Sequence, residues 1–372
     1  MKKKIIIFVT IFLIISFGLG IFTGYGPIPD LVKEKLGIKS QNLEKNFDSY
    51  YYENDFSSLI HVNTIDDISK LRSNFIYFIM NENDLSYSKL PFKIDTNIQD
   101  KNFHDLENLK QIDKFSILMD YDVNSISYLF LPENSNDELI IYNQGHNGGF
   151  INGKKTIQFF LNEGYSVLAF SMPLLGMNNQ PIIDTEFGKI KLISHDYFQF
   201  IESTNFSPLK FYFEPITLSL NYVENNYDFN NFHMIGISGG GWITTVYSAI
   251  DERVSKSFSI AGSVPLFLRT SLNDLGDYEQ TLPNFYKIGN YLDLYILASY
   301  GDDRKHIQIF NKNDPCCFSG DLRGIFDDDI QLILEQFGNG NYTLYLDETH
   351  AEHKISDYSL DIILNEIKKP NI

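Results

Sequence analysis

The most informative short pattern in the chain is Gly236-Ile237-Ser238-Gly239-Gly240, which has the form Gly-x-Ser-x-Gly. A serine hydroxyl attacks a carbonyl carbon only when a base removes its proton and the backbone holds it clear of its neighbours. Glycines on both sides permit a very tight turn, because a side chain there would collide with the adjacent backbone. The pattern therefore predicts a nucleophilic Ser238, with Gly236 and Gly240 as the residues that allow the turn. A phosphate-binding loop is the alternative, but the lysine of G-x-x-x-x-G-K-[ST] is missing here.

The residues around this turn predict a strand before it and a helix after it. Phe232–Ile237 is a mostly apolar segment of strand length that is predicted to be a strand, and Trp242–Ile250 is predicted to be a helix. From about residue 111 onward, strands and helices alternate, with an irregular, aromatic-rich insertion at about residues 173–208 that we expect to cover the site. The further predicted strands are Phe115–Met119, Ile126–Leu131, Leu139–Tyr142, Tyr165–Phe170, Val254–Ala261, Leu292–Ala298, His306–Phe310 and Tyr342–Leu346; the further helices are Lys154–Glu163, Phe213–Tyr227, Asp328–Gln336 and Ser356–Lys368. This alternation predicts an α/β fold with a mostly parallel sheet and helices on both faces.

With its Gly-x-Ser-x-Gly turn between a strand and a helix, the chain resembles the α/β-hydrolase superfamily over roughly Phe115–Lys369. The resemblance implies the α/β-hydrolase fold and a serine hydrolase that works through an acyl-enzyme on Ser238. It also implies the order serine, acid, histidine along the chain. No cofactor is implied.

The family order points to a base after the last strand and an acid after the strand before it. His353, directly before the final helix, matches the position of the family histidine, and His350 is the alternative. Asp314 lies in the turn after His306–Phe310 and would hold the imidazole in one tautomer. Asp302 and Asp303 are alternatives for the acid.

The segment after Leu139–Tyr142 reads Asn-Gln-Gly-His-Asn-Gly-Gly, residues 143–149. By resemblance, the backbone N–H of Gly239 and one from His146, Asn147 or Gly148 form the oxyanion hole. Because Asn147 interrupts the His-Gly-Gly-Gly pattern, the donating residue stays open. A structural glycine-rich turn, with His146 in an ordinary hydrogen bond, is the alternative.

The sequence predicts no metal site. His350 and His353 are spaced H-x-x-H and lack the H-E-x-x-H pattern of zinc hydrolases. The two cysteines, Cys316 and Cys317, are adjacent, which excludes a Cys-rich zinc site; we expect buried thiols or a vicinal disulfide. The acidic segment Gly276–Glu279 is interpreted as a surface turn, with binding of substrate or a metal as the alternative, and His195-Asp196 is interpreted as part of the structure over the site.

Charge and the amino terminus restrict partners and location. Of 372 residues, 30 are Lys or Arg and 48 are Asp or Glu, a formal net charge of −18 that disfavours nucleic-acid binding. Lys2, Lys3 and Lys4 precede the uncharged run Ile5–Phe22, about 27 Å long as a helix, roughly the thickness of a bilayer core. We expect residues 1–24 to form an amino-terminal transmembrane helix with the catalytic domain outside the cytoplasm. A cleaved signal and a secreted protein are the alternative.

The expected organisation is thus an anchor or signal at residues 1–24, a linker and small cap at 25–110, and an α/β-hydrolase domain at 111–372. The expected function is hydrolysis of an acyl bond in a small-molecule or peptide substrate, with an ester favoured. A serine peptidase of the same fold and a catalytically silent surface binding protein are the alternatives.

Overall fold

Strands alternate with helices along the chain, and nine of the strands form one sheet. The computed structural model describes residues 47–270 and 274–369. The strands are β1 (Lys93–Asp95), β2 (Leu109–Leu118), β3 (Asn124–Pro132), β4 (Glu138–Asn143), β5 (Ser166–Phe170), β6 (Ile182–Thr185), β7 (Gly188–Lys191), β8 (Asn231–Ile237), β9 (Val254–Ile260), β10 (Lys305–Asn311) and β11 (Asn341–Asp347). The sheet order is β1-β2-β3-β5-β4-β8-β9-β10-β11, while β6 and β7 form a separate hairpin.

The sheet is mostly parallel, as predicted. The strands from β5 through β4, β8, β9 and β10 to β11 all run in one direction, and β3 is antiparallel to both of its neighbours. The register aligns the carboxyl ends of the parallel strands: Asn143 lies beside Gly236, and Asn311 beside Asp347. Residues that follow β4, β8, β10 and β11 therefore emerge at the same edge of the sheet.

Helices cover both faces of the sheet. They are α1 (Ser49–Glu53), α2 (Ile65–Met80), α3 (Lys154–Asn162), α4 (Lys210–Asn226), α5 (Gly239–Ile250), α6 (Tyr278–Thr281), α7 (Pro283–Tyr286), α8 (Tyr291–Ser299), α9 (Asp327–Phe337) and α10 (Asp357–Lys368). Alternate side chains of a strand point to opposite faces. In β4, Ile140 and Tyr142 accordingly join a core with α3 and α10, whereas Leu139 and Ile141 join a larger core with α2, α4, α5, α8 and α9.

The predicted strand Leu292–Ala298 is wrong, because this segment belongs to helix α8. A continuous apolar run does not distinguish a buried strand from a buried helix. The deciding local signal is a capping box: the Asn290 side chain accepts from the helix amino terminus, and the Asp293 side chain accepts in return from the Asn290 backbone. Every residue of α8 is buried, which explains its uniform apolarity.

The segment predicted as a linker and small cap, residues 25–110, is described from residue 47 onward. Helix α2 begins with a capping box between Thr64 and Asp67, and its apolar face, with Phe75 fully buried, joins the larger core. The insertion at residues 173–208 contains the β6–β7 hairpin and a 3-10 helix over His195–Phe200. The predicted anchor, residues 1–24, lies outside the described residues, and among the residues described no helix is long and apolar enough to cross a membrane.

Two buried arginines bind the carboxyl ends of α5 and α8. Arg72, from α2, donates to the carbonyl oxygens of Ala249 (3.0 Å) and Leu297 (3.2 Å). Arg304 donates to Leu297 (3.2 Å) and Tyr300 (2.9 Å), and also to Ser248 and Val254. The last carbonyls of a helix have no intrahelical partner, so these guanidinium groups satisfy acceptors that are buried from water.

Candidate active site

Ser238 occupies a strained turn between β8 and α5. Its φ of 57° and ψ of −129° lie in a region that residues with a Cβ rarely adopt, at a cost of about 1–3 kcal/mol. The turn is held from both sides. The Ser238 N–H donates to the Ile260 carbonyl (2.9 Å), and the Ser238 carbonyl accepts from Gly241 (2.8 Å) and Trp242 (3.1 Å). Strain maintained in this way is characteristic of a nucleophile elbow.

Glycines around Ser238 are required by close backbone contacts. A Cβ on Gly236 would overlap the carbonyl of Gly240, and one on Gly240 would overlap the carbonyl of Asn143 at the end of β4. Across the sheet edge, a Cβ on Gly145 would lie 2.6 Å from both the Ser238 Cβ and the Ile237 carbonyl oxygen. The loop after β4 therefore packs directly on the serine.

Asp314, which is buried, and His353, which is partly buried, form a hydrogen-bonded pair at the same sheet edge. Asp314 follows β10 and His353 follows β11, and Asp314 Oδ2 lies 2.7 Å from His353 Nδ1. Asp314 also accepts from the Cys316 N–H (2.9 Å) and from Asn311 Nδ2 (3.3 Å). Within the part of the chain that the structure describes, His353 Nε2 is buried and has no hydrogen-bond partner. This nitrogen is the atom that a catalytic base would use.

The environment of His353 favours its protonated form. Burial alone lowers the pKa of His353, but the hydrogen bond and the charge of Asp314 outweigh burial and raise the pKa above its ordinary value. The charge of His146 acts in the opposite direction on the same group. His146 is in turn adjacent to Ser238, because a Cβ on Gly239 would be 2.6 Å from His146 Nδ1.

The alternative acid and base residues lie elsewhere. His350 Nε2 is 3.3 Å from Asp347 Oδ2, and His350 Nδ1 accepts from the Glu352 N–H, so His350 is paired away from Asp314. Asp302 and Asp303 are exposed and precede β10, at the opposite edge of the sheet from Ser238.

Of the three predicted oxyanion donors after β4, one is already engaged. The Gly148 N–H donates to the His146 carbonyl at 2.8 Å, which makes a hydrogen-bonded turn of this loop. The Asn147 carbonyl accepts from the side chain of Asn152. His146 directly follows Gly145, the residue that contacts Ser238, and Gly239 opens α5.

Comparison with solved structures identifies the fold. The sequence matches no protein-family model and no curated protein. Among solved structures, acetyl xylan esterase 1 from Thermoanaerobacterium sp. JW/SL YS485 superposes with a TM-score of 0.55 at 12% identity, covering 86% of this chain and 98% of that one. The chain has the α/β-hydrolase fold.

Two further solved structures are similar to this chain in fold. The acetyl xylan esterase from Paenibacillus sp. R4 gives a TM-score of 0.52 at 12% identity, over 84% of this chain and 97% of that one. Methylesterase BT1017 gives 0.53 at 12% identity, over 81% of this chain and 62% of that one.

Beside the elbow lies a charged cluster that could not be assembled from the sequence. His146 Nε2 lies 3.0 Å from Asp277 Oδ2, 3.1 Å from Glu279 Oε1 and 3.1 Å from His195 Nδ1. Gly276–Glu279, predicted as a surface turn, therefore contributes to the interior, because the Glu279 side chain is fully buried. Burial lowers the pKa of His146, but hydrogen bonds to Asp277 and Glu279 prevail and raise it to about 10. Burial raises the pKa of Glu279, yet the two histidines hold it well below its usual range.

The adjacent cysteines differ from expectation. Cys316 and Cys317 are free thiols, and Cys316 is exposed rather than buried. A hydrogen bond with Cys317 is the main cause that lowers the pKa of Cys316 to about 7. The two sulfurs lie within 4.8 Å of a ring nitrogen of His353, so a modified thiol would crowd the histidine.

Proposed function

We propose that the chain hydrolyses carboxylic esters through an acyl-enzyme on Ser238. The observation that carries this proposal is the strained Ser238 turn at the sheet edge where Asp314 and His353 form a hydrogen-bonded pair. The solved structures with the same fold include two acetyl xylan esterases and a methylesterase, which supports an ester over a peptide bond. Identity of 12% shows the fold alone, so the residues carry the mechanism.

The reaction proceeds in two halves. Ser238 Oγ bonds to the acyl carbon while His353 Nε2 takes the hydroxyl proton, and Asp314 stabilises the resulting imidazolium. The alcohol leaves with that proton when the carbon–oxygen bond breaks. Water then attacks the acyl-enzyme, its proton passing to His353 and on to Ser238 Oγ, and the carboxylic acid is released.

The negative oxygen of each tetrahedral intermediate needs two preorganised donors. Gly239 supplies one N–H from the first residue of α5, where helix N–H groups have no intrahelical acceptor. We assign the second to the His146 N–H, because Gly145 places this residue against Ser238 while the Gly148 N–H is occupied within the loop. One such donor contributes about 3 kcal/mol of transition-state stabilisation.

Covalent labelling tests this proposal directly. A fluorophosphonate probe should label the protein at Ser238, and p-nitrophenyl acetate and butyrate should be hydrolysed. Ser238→Ala should lose labelling and about 10⁶-fold in turnover while keeping its thermal unfolding profile. Ser263→Ala, at another buried serine outside the site, is the matched control and should still be labelled. Absence of labelling in the wild type would favour a silent binding protein, and cleavage of peptide anilides alone would favour a peptidase.

We also propose that the enzyme is displayed outside the cytoplasm on the apolar run Ile5–Phe22. The support is sequence alone: the run is uncharged and follows Lys2–Lys4. Protease added to intact cells should digest the domain, and membrane fractions should retain the Lys2–Lys4 peptide. A mature soluble protein that begins near Tyr25 would contradict the membrane anchor, and only export from the cytoplasm would remain of this proposal.

A further inference from the structure

Four side chains beside the elbow, outside the serine, acid and histidine, have the composition of a metal-ion site. His146, His195, Asp277 and Glu279 each offer one ligand atom, and these four atoms all lie within 4.8 Å of one another. We propose that they bind one divalent transition-metal ion of the Zn²⁺ type, with two imidazole nitrogens and two carboxylate oxygens as ligands.

The distances between the ligand atoms are close to those around a tetrahedral ion. Zn²⁺ binds imidazole nitrogen and carboxylate oxygen at about 2.0–2.2 Å, so adjacent ligands of a tetrahedron lie about 3.3–3.6 Å apart. His146 Nε2 lies 3.0–3.1 Å from Asp277 Oδ2, His195 Nδ1 and Glu279 Oε1. His195 Nδ1 lies 3.6 Å from Asp277 Oδ2 and 3.5 Å from the other Glu279 oxygen, Oε2. To bind the ion, His146 Nε2 would move slightly away from the other three residues, and Glu279 would offer one of its two oxygens.

With a neutral His195, the cluster presents more lone pairs than it has protons to share. His195 Nε2 lies 2.9 Å from the Pro173 carbonyl oxygen, and a carbonyl only accepts, so Nε2 carries a proton. The Nδ1 of a neutral His195 then presents a lone pair toward the cluster, beside the lone pairs of two carboxylates. A single N–H on His146 Nε2 cannot donate to all three, and a metal ion would accept all of these lone pairs.

Two of the four proposed ligands, His195 and Glu279, are held by hydrogen bonds of the kind that orient ligands in metal sites. A ligating histidine normally donates its other ring N–H to a carbonyl or carboxylate, as His195 does to Pro173. Glu279 Oε2 accepts from the Tyr212 hydroxyl at 3.0 Å. The side chains of His195 and Glu279 are 3% and 0% exposed, whereas that of Asp277 is 43% exposed. Asp277 therefore provides the route by which an ion exchanges with solvent.

The site joins three segments that the fold brings to the elbow: the loop after β4, the insertion, and the amino-terminal turn of α6. Metal bound to His146 Nε2 would fix the ring against Gly239, where a Cβ would meet His146 Nδ1 at 2.6 Å. A fixed ring also fixes the backbone N–H of His146. If the proposed ester hydrolysis is correct, the ion therefore positions an oxyanion donor without contacting substrate.

Metal binding is measured independently of activity. The full chain is stripped with EDTA, titrated with Zn²⁺, and assayed for bound zinc by elemental analysis after gel filtration. We expect one equivalent of zinc and a higher unfolding temperature. Glu279→Gln keeps the size of the buried side chain, and Asp277→Ala alters a half-exposed one; each should weaken zinc binding at least about 100-fold.

The controls separate this cluster from the nearby cysteines. Cys316→Ser with Cys317→Ser removes the other group of metal-binding atoms, beside His353, and should leave the zinc stoichiometry unchanged. Asp196→Asn, next to His195 but exposed, should also leave it unchanged. Co²⁺ in the site should give visible bands of a four-coordinate ion without a sulfur-to-cobalt charge-transfer band.

The proposal is overturned if the stripped wild type binds no zinc, if Asp277→Ala and Glu279→Gln bind it as tightly as the wild type, or if only the cysteine variant loses it. Ser238→Ala should bind zinc normally. Failure of ester hydrolysis and failure of metal binding are therefore distinguishable.

Discussion

Replacing Asp314 by asparagine tests the acid–base assignment most sharply, because the change removes charge and keeps the size of the side chain. Asp314 accepts from His353 and Asn311 through Oδ2 and from the Cys316 N–H through Oδ1. An asparagine has one oxygen and one NH₂ for these positions. The Cys316 backbone cannot move its proton, whereas His353 can exchange tautomers. We therefore expect the amide oxygen to remain toward Cys316 and the NH₂ to face His353.

That orientation converts His353 to the inactive tautomer. With an NH₂ group opposite Nδ1, the ring proton moves to Nε2, which then cannot accept a proton from Ser238. We expect a loss in kcat of about 10⁴-fold, equivalent to about 5.4 kcal/mol. In the opposite orientation the tautomer survives but the charged hydrogen bond is lost, which costs at least about 1.4 kcal/mol or tenfold. Tenfold is therefore the smallest loss that we expect.

The assay is kcat/KM for a p-nitrophenyl ester as a function of pH, with thermal unfolding as the check of folding. In the wild type, activity should fall tenfold per pH unit below the raised pKa of His353, because only the neutral ring accepts a proton. In Asp314→Asn the carboxylate that raises this pKa is gone, so the acid limb of any residual activity should move to lower pH. Asp302→Asn is the control and should stay within twofold of the wild type. A folded Asp314→Asn variant that loses less than about tenfold would refute the assignment.

Four further substitutions test the site and the fold around it. His353→Ala should lose at least about 10⁴-fold in turnover, while His350→Ala should keep measurable activity, since His350 pairs with a different carboxylate; the reverse order in ester assays would contradict our assignment of the base. Gly145→Ala should abolish measurable hydrolysis and fluorophosphonate labelling, because its Cβ would lie 2.6 Å from the Ser238 Cβ, and normal labelling would disprove that contact. Arg304→Met should lower the free energy of unfolding in urea by about 3 kcal/mol or more, because several buried carbonyls lose their donor, whereas an unchanged midpoint would show that water replaces the guanidinium.

The catalytic assignment could be made from sequence because its signals are local or follow chain order. The Ser238 turn is formed by one strand, a short glycine-rich segment and one helix, all within 20 residues of the sequence. Asp314 and His353 each follow a predicted strand, and parallel strands bring their carboxyl ends to one edge. The prediction of a strand was wrong at Leu292–Ala298, because uniform burial removes the hydrophobic periodicity that distinguishes a helix from a strand. The capping pair Asn290 and Asp293 was the one local signal of a helix there.

What surrounds the serine was decided by tertiary structure alone. His146 is 49 residues from His195 and 133 residues from Glu279, and no periodicity links positions so far apart. In sequence, Gly276–Glu279 resembles any acidic surface turn. The fold instead buries Glu279 beneath Tyr212 and turns its carboxylate toward two imidazoles. Burial in a low-dielectric site makes these charges depend on one another, and that coupling exists only after loops from different strand ends have met at the same sheet edge.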